Sequence, residues 1–421
     1  MNFDLKNEEK AEKALLICVD TGDTDYDVSM RELGELARTA GAEVVGELIQ
    51  KRPTVENATF VGKGRLEEIS EFCRNNDVDL IIADAELSPV QVRNIEDATD
   101  TRVVDRTTLI LDIFAGRAQS KEGKLQVELA QLKYSLPRLT GKGTSLSRLG
   151  GGIGTRGPGE TKLESDKRHI RRKIQYIKNE LEDVERRRNM QHTRRKKNGV
   201  RVAAIVGYTN AGKSTLMNKL TDAGVLQEDK LFATLDPTAR KLVLPSGEQI
   251  MIVDTVGFIS RLPHQLVEAF KSTLEEALYA DVILNVCDAS DPECHNHIKV
   301  TNEILSDIYG GECITVPVIN VFNKCDIGSD VDFGFMYNRE SSVKISAKTG
   351  YGLDDLLNAI EKSLPQTRKR VKMLLPFEKI GVASQIRKDG VVHSEKYMED
   401  GLLLDATAQI SFLDSVKDYI M

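Results

Sequence analysis

The sequence lacks the segments that place a protein in a membrane or send it through one. No apolar run approaches the roughly 20 residues of a membrane-spanning helix. The segment from Met1 to Lys13 is highly charged and has no secretory signal pattern. We therefore predict a soluble, cytosolic protein without a membrane span, and leave a partial association with membranes open.

Cysteine is scarce and shows no paired spacing of the kind that binds metal ions. Several of the cysteines fall in predicted strands or at strand ends, so we interpret them as ordinary reduced thiols. The six residues are Cys18, Cys73, Cys287, Cys294, Cys313 and Cys325.

An excess of positive charge is also missing, since the net charge is −7. Net charge is an average, and the local distribution of charge decides contacts with nucleic acids, so a nucleic-acid partner is not excluded. The length of 421 residues, with 40% apolar side chains, is enough for two or three domains with cores of their own.

A phosphate-binding motif follows the apolar run 202–206. The residues are Gly207, Tyr208, Thr209, Asn210, Ala211, Gly212, Lys213 and Ser214. Glycines let backbone N–H groups point at phosphate oxygens, Lys213 can reach the β and γ phosphates, and Ser214 can hold Mg²⁺. A glycine turn that matches by chance is the alternative, but a strand before the motif and a helix over 214–223 favour the phosphate loop.

Three further segments follow in order and indicate a guanine nucleotide. An apolar strand ends in Asp254-Thr255-Val256-Gly257, where the carboxylate can bind the Mg²⁺ shell and the glycine N–H can meet a γ phosphate. Another strand ends in Asn323-Lys324-Cys325-Asp326, and the Asp326 carboxylate can accept from guanine N1–H and the exocyclic amine. Amides of Ser346-Ala347-Lys348 could face guanine O6. A metabolic kinase would lack the Asn-Lys-x-Asp guanine reader.

The residues before the phosphate loop predict an α/β domain followed by a helical arm. Strands over 14–19, 42–48, 78–83 and 101–104 alternate with helices over 29–40, 65–75 and 89–98, which indicates a mostly parallel sheet. Gly62 to Arg65 either binds an anion at a helix N-terminus or merely shapes a turn.

Two apolar seams predict an antiparallel helix pair. Leucines recur at 125, 129, 132 and 136, and apolar residues recur at 170, 174, 177, 181 and 184. The glycine-rich stretch from Pro137 to Pro158 should continue neither helix. The result is an arm with a flexible tip.

Basic residues flank the glycines of this tip and follow along the second helix. RNA contact and an ordinary solvated helical face are both open, and the last cluster also fits a hinge. The cations are Arg138, Lys142, Arg148, Arg156, Lys162, Lys167, Arg168, Arg171, Arg172, Lys173, Arg186, Arg187, Arg188, Arg194, Arg195, Lys196 and Lys197.

Several stretches together resemble the HflX family of translational GTPases. The resemblance spans nearly the whole chain and is carried most specifically by the glycine-rich arm. The residues that carry it are Phe60 to Glu68, Asp105-Arg106-Thr107, Glu122 to Gln131, Gly150 to Lys162, Phe232 to Thr238 and Leu262 to Phe270.

The resemblance implies a protein that binds the large ribosomal subunit near its peptidyl-transferase region and separates stalled or idle ribosomes. It also implies nucleotide contacts by Phe232, Ala233, Thr234, Leu235 and Asp236, with Thr234 closing on Mg²⁺ and the γ phosphate and Thr238 as a competing candidate. The predicted catalytic residues are then Lys213, Thr234 and Gly257, and the Mg²⁺ ligands are Ser214, Thr234 and Asp254. ATP binding by the N-terminal domain, near Lys63, is a further implication.

One departure from the common pattern concerns hydrolysis. Many switch GTPases hold the attacking water with a glutamine just after the phosphate-sensing glycine, and this chain has Phe258 there. A phenyl ring cannot orient water, so we expect slow basal turnover. Ribosomal RNA, His264, Thr255 or the substrate phosphate could supply the missing polar group.

The sequence thus predicts an α/β multidomain protein, and we expect a monomer. Its four units are an N-terminal parallel-sheet α/β domain (1–115), an antiparallel two-helix arm (116–198), a P-loop GTPase domain (199–365) and a small α+β C-terminal domain (366–421). The function is either ribosome splitting driven by GTP or GTP-dependent RNA binding or ribosome assembly without splitting.

Overall fold

The computed structural model describes residues 11–22, 25–139, 158–221, 231–232, 236–261, 278–311, 314, 316–328, 341–364, 368–398 and 400–421. The described residues form three sheets joined by helices, which confirms the predicted α/β multidomain fold class. Within these ranges, no helix is long and apolar enough to cross a membrane.

The first sheet is parallel throughout, with the strand order β2-β1-β3-β4. Its central strands are buried on both faces because helices cover both, as the apolar sequences of these strands predict. The sequence analysis found the strands and three of the helices but not α4. The elements are β1 Lys13–Asp20, α1 Tyr26–Thr39, β2 Glu43–Lys51, α2 Lys63–Asn76, β3 Leu80–Ala83, α3 Pro89–Thr99, β4 Arg102–Asp105 and α4 Arg106–Arg117.

Two antiparallel helices follow, α5 Lys121–Arg138 and α6 Pro158–Lys197. Ion pairs give the direction. Near the start of α5, Lys121 pairs with Glu180 and Glu122 pairs with Arg188, whereas Glu128, further along α5, pairs with the earlier residue Lys173 of α6. At 1.5 Å per residue, the 40 residues of α6 span about 60 Å.

The predicted apolar seams lie between these helices. Leu129 is 7% exposed and Ile177 is 1% exposed, and the other seam residues are half-buried. The prediction that Pro137 and Pro158 belong to neither helix is wrong. Pro137 lies in the last turn of α5, and Pro158 begins α6 among the described residues, a position that needs no N–H donor. Residues 140–157, the predicted tip, lie outside the described ranges.

The second sheet has the order β10-β9-β8-β5-β7-β6 and is parallel except for β6. Strand β5 runs directly into the predicted phosphate loop and then into α7, so the predicted strand-loop-helix arrangement is confirmed. The elements are β5 Val202–Gly207, α7 Lys213–Thr221, β6 Thr238–Val243, β7 Gln249–Asp254, β8 Val282–Asp288, α8 Cys294–Ile308, β9 Val318–Asn323, β10 Ser342–Lys344 and α9 Leu353–Ser363.

The third sheet is antiparallel, with β13 between β11 and β12. Its buried face packs against a helix and encloses a small core around Met373 and Leu404. The elements are β11 Arg368–Leu375, α10 Gly381–Asp389, β12 Val391–Met398, β13 Gly401–Gln409 and α11 Ile410–Ser415.

The first and second sheets are not separated by solvent. Phe114 of α4 packs edge-on against Phe232, with ring centroids 4.6 Å apart, and Phe258 belongs to the same buried cluster. The N-terminal domain therefore touches the segments that surround the phosphate loop.

Candidate nucleotide site

The phosphate loop depends on two glycines that approach other backbone and side-chain atoms closely. Gly207 has φ +143°, and a Cβ there would lie 2.2 Å from the Val286 carbonyl oxygen. Gly212 has φ +91°, and a Cβ there would lie 2.3 Å from Asn323 Nδ2. Any side chain at either position would push the loop off β8 or β9, which explains these glycines in physical terms.

Lys213 is held at the mouth of this loop. Its Nζ donates to the Gly207 carbonyl at 3.0 Å and to the Tyr208 carbonyl at 2.7 Å. Burial lowers the pKa of Lys213 to about 8, and the Asp254 carboxylate opposes this effect. A buried ammonium is stabilised by negative charge beside it. The oxygens of a bound phosphate would supply this charge, so the geometry suits a nucleotide phosphate.

Ser214 and Asp254 form the candidate Mg²⁺ site. The Ser214 hydroxyl donates to Asp254 Oδ2 at 2.7 Å, although the two residues come from α7 and β7. A hydroxyl and a carboxylate side by side are hard oxygen ligands of the type that Mg²⁺ prefers, together with phosphates and waters. No cluster of three His, Cys, Asp or Glu side chains suited to a metal occurs in the described part of the chain.

Gly257 lies against the phosphate loop, where a sensor of the third phosphate is expected. A Cβ at this position would stand 2.9 Å from Lys213 Nζ and 2.8 Å from Thr209 Cγ2. The next residue is tied to the loop by backbone hydrogen bonds: Phe258 N donates to Gly207 O at 3.0 Å, and Thr209 N donates to Phe258 O at 2.7 Å.

The guanine-reading segments meet through Asn323. Its Nδ2 donates to the Ala211 carbonyl at 2.9 Å, and its Oδ1 accepts from Ala347 N at 2.9 Å. One amide side chain therefore joins the phosphate loop to the Ser346-Ala347-Lys348 segment. Nearby, Asp326 is exposed, and a hydrogen bond from Ser346 lowers the pKa of its carboxyl.

Sequence reasoning missed Asp288, which holds Lys324. The Lys324 Nζ lies 2.7 Å from Asp288 Oδ2, and this pair fixes the lysine beside the base site. Asp288 ends β8 as Asp254 ends β7. An acidic residue at the end of a buried strand is the sequence signal from which Asp288 could have been predicted.

The resemblance implies that residues 232–236 contact the nucleotide, and the structure describes only Phe232 and Asp236 of them. Ala233, Thr234 and Leu235 lie outside the described residues, as do His264 and the stretch 262–270. Phe232 is buried against α4, and Asp236 accepts from Gln119 N at 2.9 Å and Ser120 N at 2.8 Å. The structure thus places these two predicted nucleotide contacts against the N-terminal domain and the start of the arm. Thr238 begins β6, paired with Asp254.

Six polar residues link the N-terminal domain to the edge of this site, and the sequence analysis identified only Tyr208 among them as part of the site. We call them the interdomain cluster. They are Glu32, Asp84, Arg106, Tyr208, Ser260 and Arg261.

Arg106 and Glu32 are central to the interdomain cluster. The Arg106 guanidinium is 4% exposed and donates to Glu32 at 2.5 Å, to Asp84 at 2.9 Å and to the Ser260 carbonyl at 3.2 Å. Burial alone would lower the pKa of Arg106, but the Glu32 and Asp84 carboxylates reverse this and raise it. Glu32 also accepts from the Tyr208 hydroxyl, and Arg261 donates to Asp84 at 2.8 Å.

The N-terminus of α2, where an anion site was one alternative, is filled by the protein itself. Gly62 N donates to Gln50 Oε1 at 2.8 Å, and a Cβ at Gly62 would lie 2.7 Å from an Arg52 nitrogen. The amide that an anion would use is therefore engaged, which favours the turn interpretation over the anion site.

Comparisons with known proteins agree with this geometry. A family model described as GTP-binding GTPase N-terminal matches residues 27–115, one described as GTP-binding GTPase Middle Region matches 117–195, and one described as 50S ribosome-binding GTPase matches 202–324.

Two relatives and one solved structure are similar over most of the chain. The GTPase HflX of Caldanaerobacter subterraneus subsp. tengcongensis is 53% identical over 410 residues, covering 97% of this chain and 94% of that protein. The GTPase HflX of Lacrimispora saccharolytica is 51% identical over 415 residues, covering 98% and 97%. The crystal structure of SsGBP with GDP aligns at 27% identity and a TM-score of 0.49, covering 83% of this chain and 98% of that one. Since relatives of this identity span nearly the whole sequence, the chain belongs to the HflX family of GTPases.

Proposed function

We propose that this GTPase binds the large ribosomal subunit and separates stalled or idle ribosomes into subunits. The observation that carries the proposal is the contact between Asp236 and the start of the arm. Asp236 directly follows the segment 233–235, which is expected to change with the nucleotide, and it accepts from the Ser120 N-cap of α5. A change of nucleotide that moves the segment 233–235 would therefore shift Asp236, and with it the start of the arm at Ser120.

The charge of the arm supports a nucleic-acid partner. Arg168, Arg171 and Arg172 are exposed on α6, on the part of the helix that leads away from the GTPase domain. Cations at such positions bind phosphates without sequence preference, which suits ribosomal RNA. The match of residues 202–324 to a family model described as 50S ribosome-binding GTPase points to the same partner.

Within the nucleotide site we propose the following roles. Lys213 binds the β and γ phosphates, Gly257 senses the γ phosphate, and Asp326 selects guanine. Ser214, Asp254 and Thr234 would hold Mg²⁺, which supplies charge neutralisation at the transferred phosphate. We further propose that the chain acts as a monomer divided at residues 115, 198 and 365.

Sedimentation of ribosomes tests the splitting activity. Purified protein with a non-hydrolysable GTP analogue should convert whole ribosomes to separate subunits, which a sucrose gradient resolves. Lys213→Ala, which removes the phosphate-binding ammonium, serves as the control and should leave the ribosomes whole. Binding to the large subunit without any loss of whole ribosomes would instead favour the assembly or RNA-binding function.

ATP binding by the N-terminal domain is a separate proposal that rests on the family resemblance alone, because the Gly62 amide at the start of α2 already donates to Gln50. If it occurs at the start of α2, Lys63→Ala should abolish ATP binding and leave GTP binding intact. An ATP signal that disappears with Lys213→Ala would place ATP in the GTP site and refute the proposal.

A further inference from the structure

The structure buries the residue at the usual water-binding position and removes Thr255 from the groups that could orient the attacking water. The Phe258 ring is 2% exposed and lies in the core shared with the N-terminal domain. The Thr255 hydroxyl donates to the Ile205 carbonyl at 2.8 Å, so it stabilises β5 and is not free to hold a ligand. Neither Phe258 nor Thr255 therefore supplies the polar group that many switch GTPases place after the phosphate-sensing glycine.

Thr209 of the phosphate loop has the properties of the missing group. Its side chain is 6% exposed, and its hydroxyl has no hydrogen-bond partner among the residues that the structure describes. Leaving a buried hydroxyl without a partner destabilises the folded protein. Such a group in a native protein calls for an explanation, and a ligand that arrives later is one.

The position of Thr209 indicates which ligand its hydroxyl would bind. Its Cγ2 lies 2.8 Å from the point where a Cβ on Gly257 would stand, and Lys213 Nζ lies 2.9 Å from the same point. The methyl group of Thr209 thus lies beside Gly257 and Lys213, and the hydroxyl is carried by the same carbon atom as this methyl. Its backbone is fixed there, because Thr209 N donates to the Phe258 carbonyl at 2.7 Å.

We propose that the Thr209 hydroxyl orients the water that attacks the γ phosphate of GTP. A hydroxyl both donates and accepts, so it can accept a hydrogen bond from the water while donating to a γ-phosphate oxygen. The water oxygen then bonds to the γ phosphorus, and the bond between that phosphorus and the β–γ bridging oxygen breaks. The water proton passes to a phosphate oxygen, so the threonine orients the water without deprotonating it.

Hydrolysis by Thr209 variants tests the proposal. Thr209→Val keeps the shape of the side chain but removes the hydroxyl, and should lower the single-turnover rate of GTP hydrolysis about 10-fold to 100-fold, on the scale of losing one positioned polar group. The affinity for GDP should stay within about threefold, because the hydroxyl contacts only the water and the γ phosphate, and GDP lacks the γ phosphate. Thr209→Ser, which restores the hydroxyl, should recover most of the rate.

A matched control separates this effect from the loss of any buried hydroxyl. Thr301 of α8 is 1% exposed and donates to the His297 carbonyl at 2.9 Å, so Thr301→Val removes a buried hydroxyl that lies outside the phosphate loop and should leave the rate unchanged. If Thr209→Val does not fold, Thr209→Ala removes the same hydroxyl without the branched side chain and should show the same loss. Wild-type turnover by Thr209→Val or Thr209→Ala, or equal losses for the valine and serine variants, would overturn the proposal.

Discussion

His297 shows how a single residue beside the phosphate loop makes the domain sensitive to pH. Its ring stacks on Tyr208, with ring centroids 3.8 Å apart, and it is shielded from solvent on that side. Burial lowers the pKa of His297 below its usual 6.5, although the Asp291 carboxylate opposes this. The folded protein therefore holds His297 neutral at a pH where the unfolded chain has begun to bind a proton.

The free energy of unfolding should consequently fall as the pH drops below about 6.5, because the unfolded chain then binds more protons than the folded one. His297→Phe keeps a ring against Tyr208 but cannot titrate, so its urea midpoint should fall less between pH 7.5 and pH 5.5. His295→Phe alters an exposed residue of the same helix and should follow the wild type. Identical pH profiles for His297→Phe and the wild type would contradict the assignment.

At the scale of elements, the start of α5 is joined to the strand that flanks the nucleotide site. The Asp236 carboxylate precedes β6 and accepts from the backbone amides of residues 119 and 120 and from the Ser120 hydroxyl. Ser120 is at the same time the N-cap of α5, accepting from Gly123 N at 2.8 Å. The arm is thus attached to the GTPase domain through its helix cap.

Removing this carboxylate should loosen the root of the arm. In Asp236→Ala the amides of Gln119 and Ser120 lose their acceptor, so their hydrogen exchange should quicken about tenfold, equivalent to about 1.4 kcal/mol. Asp183→Ala, which removes an exposed partner of Arg186 on α6, should leave exchange at residues 119–120 unchanged. Equal exchange in both variants would show that Asp236 does not hold the arm.

The sequence predicted those parts of the site that lie close together along the chain. Gly207 to Ser214 form a loop whose conformation depends on their own glycines, and each remaining motif ends a buried strand of a parallel sheet. Glu32 and Tyr208 are 176 positions apart, and only the packing of two domains brings them together. No periodicity or local motif marks such a pair, which is why Arg106 appeared in the sequence only as part of a resemblance.

For the whole molecule, the interdomain cluster determines how the N-terminal domain sits on the GTPase domain. Arg106 bridges two carboxylates of its own domain to the Ser260 carbonyl, only three residues beyond Gly257. If Gly257 senses the γ phosphate, as we propose, its movement would therefore change the contact between Ser260 and Arg106 of the N-terminal domain. The cluster is also a buried ion network, in which a charge left without its partner is costly.

Replacing Arg106 by methionine should destabilise the protein by about 3 kcal/mol or more, since the Glu32 and Asp84 carboxylates would stay buried without their cation. Arg102→Met is the matched control. Arg102 pairs with Glu12 at 2.6 Å but is 56% exposed, so its loss should cost no more than about 1 kcal/mol. Urea unfolding measures both, and equal midpoints for the two variants would refute the central place of Arg106.

We propose that the protein holds GTP with little hydrolysis until the large ribosomal subunit binds it. Turnover of GTP with and without purified large ribosomal subunits tests this most directly. With Phe258 buried where a water-binding side chain is common, we predict slow turnover for the protein alone and a rate at least about tenfold higher with large subunits, equivalent to about 1.4 kcal/mol of barrier. Equal rates in the two conditions would show that the large subunit does not stimulate hydrolysis.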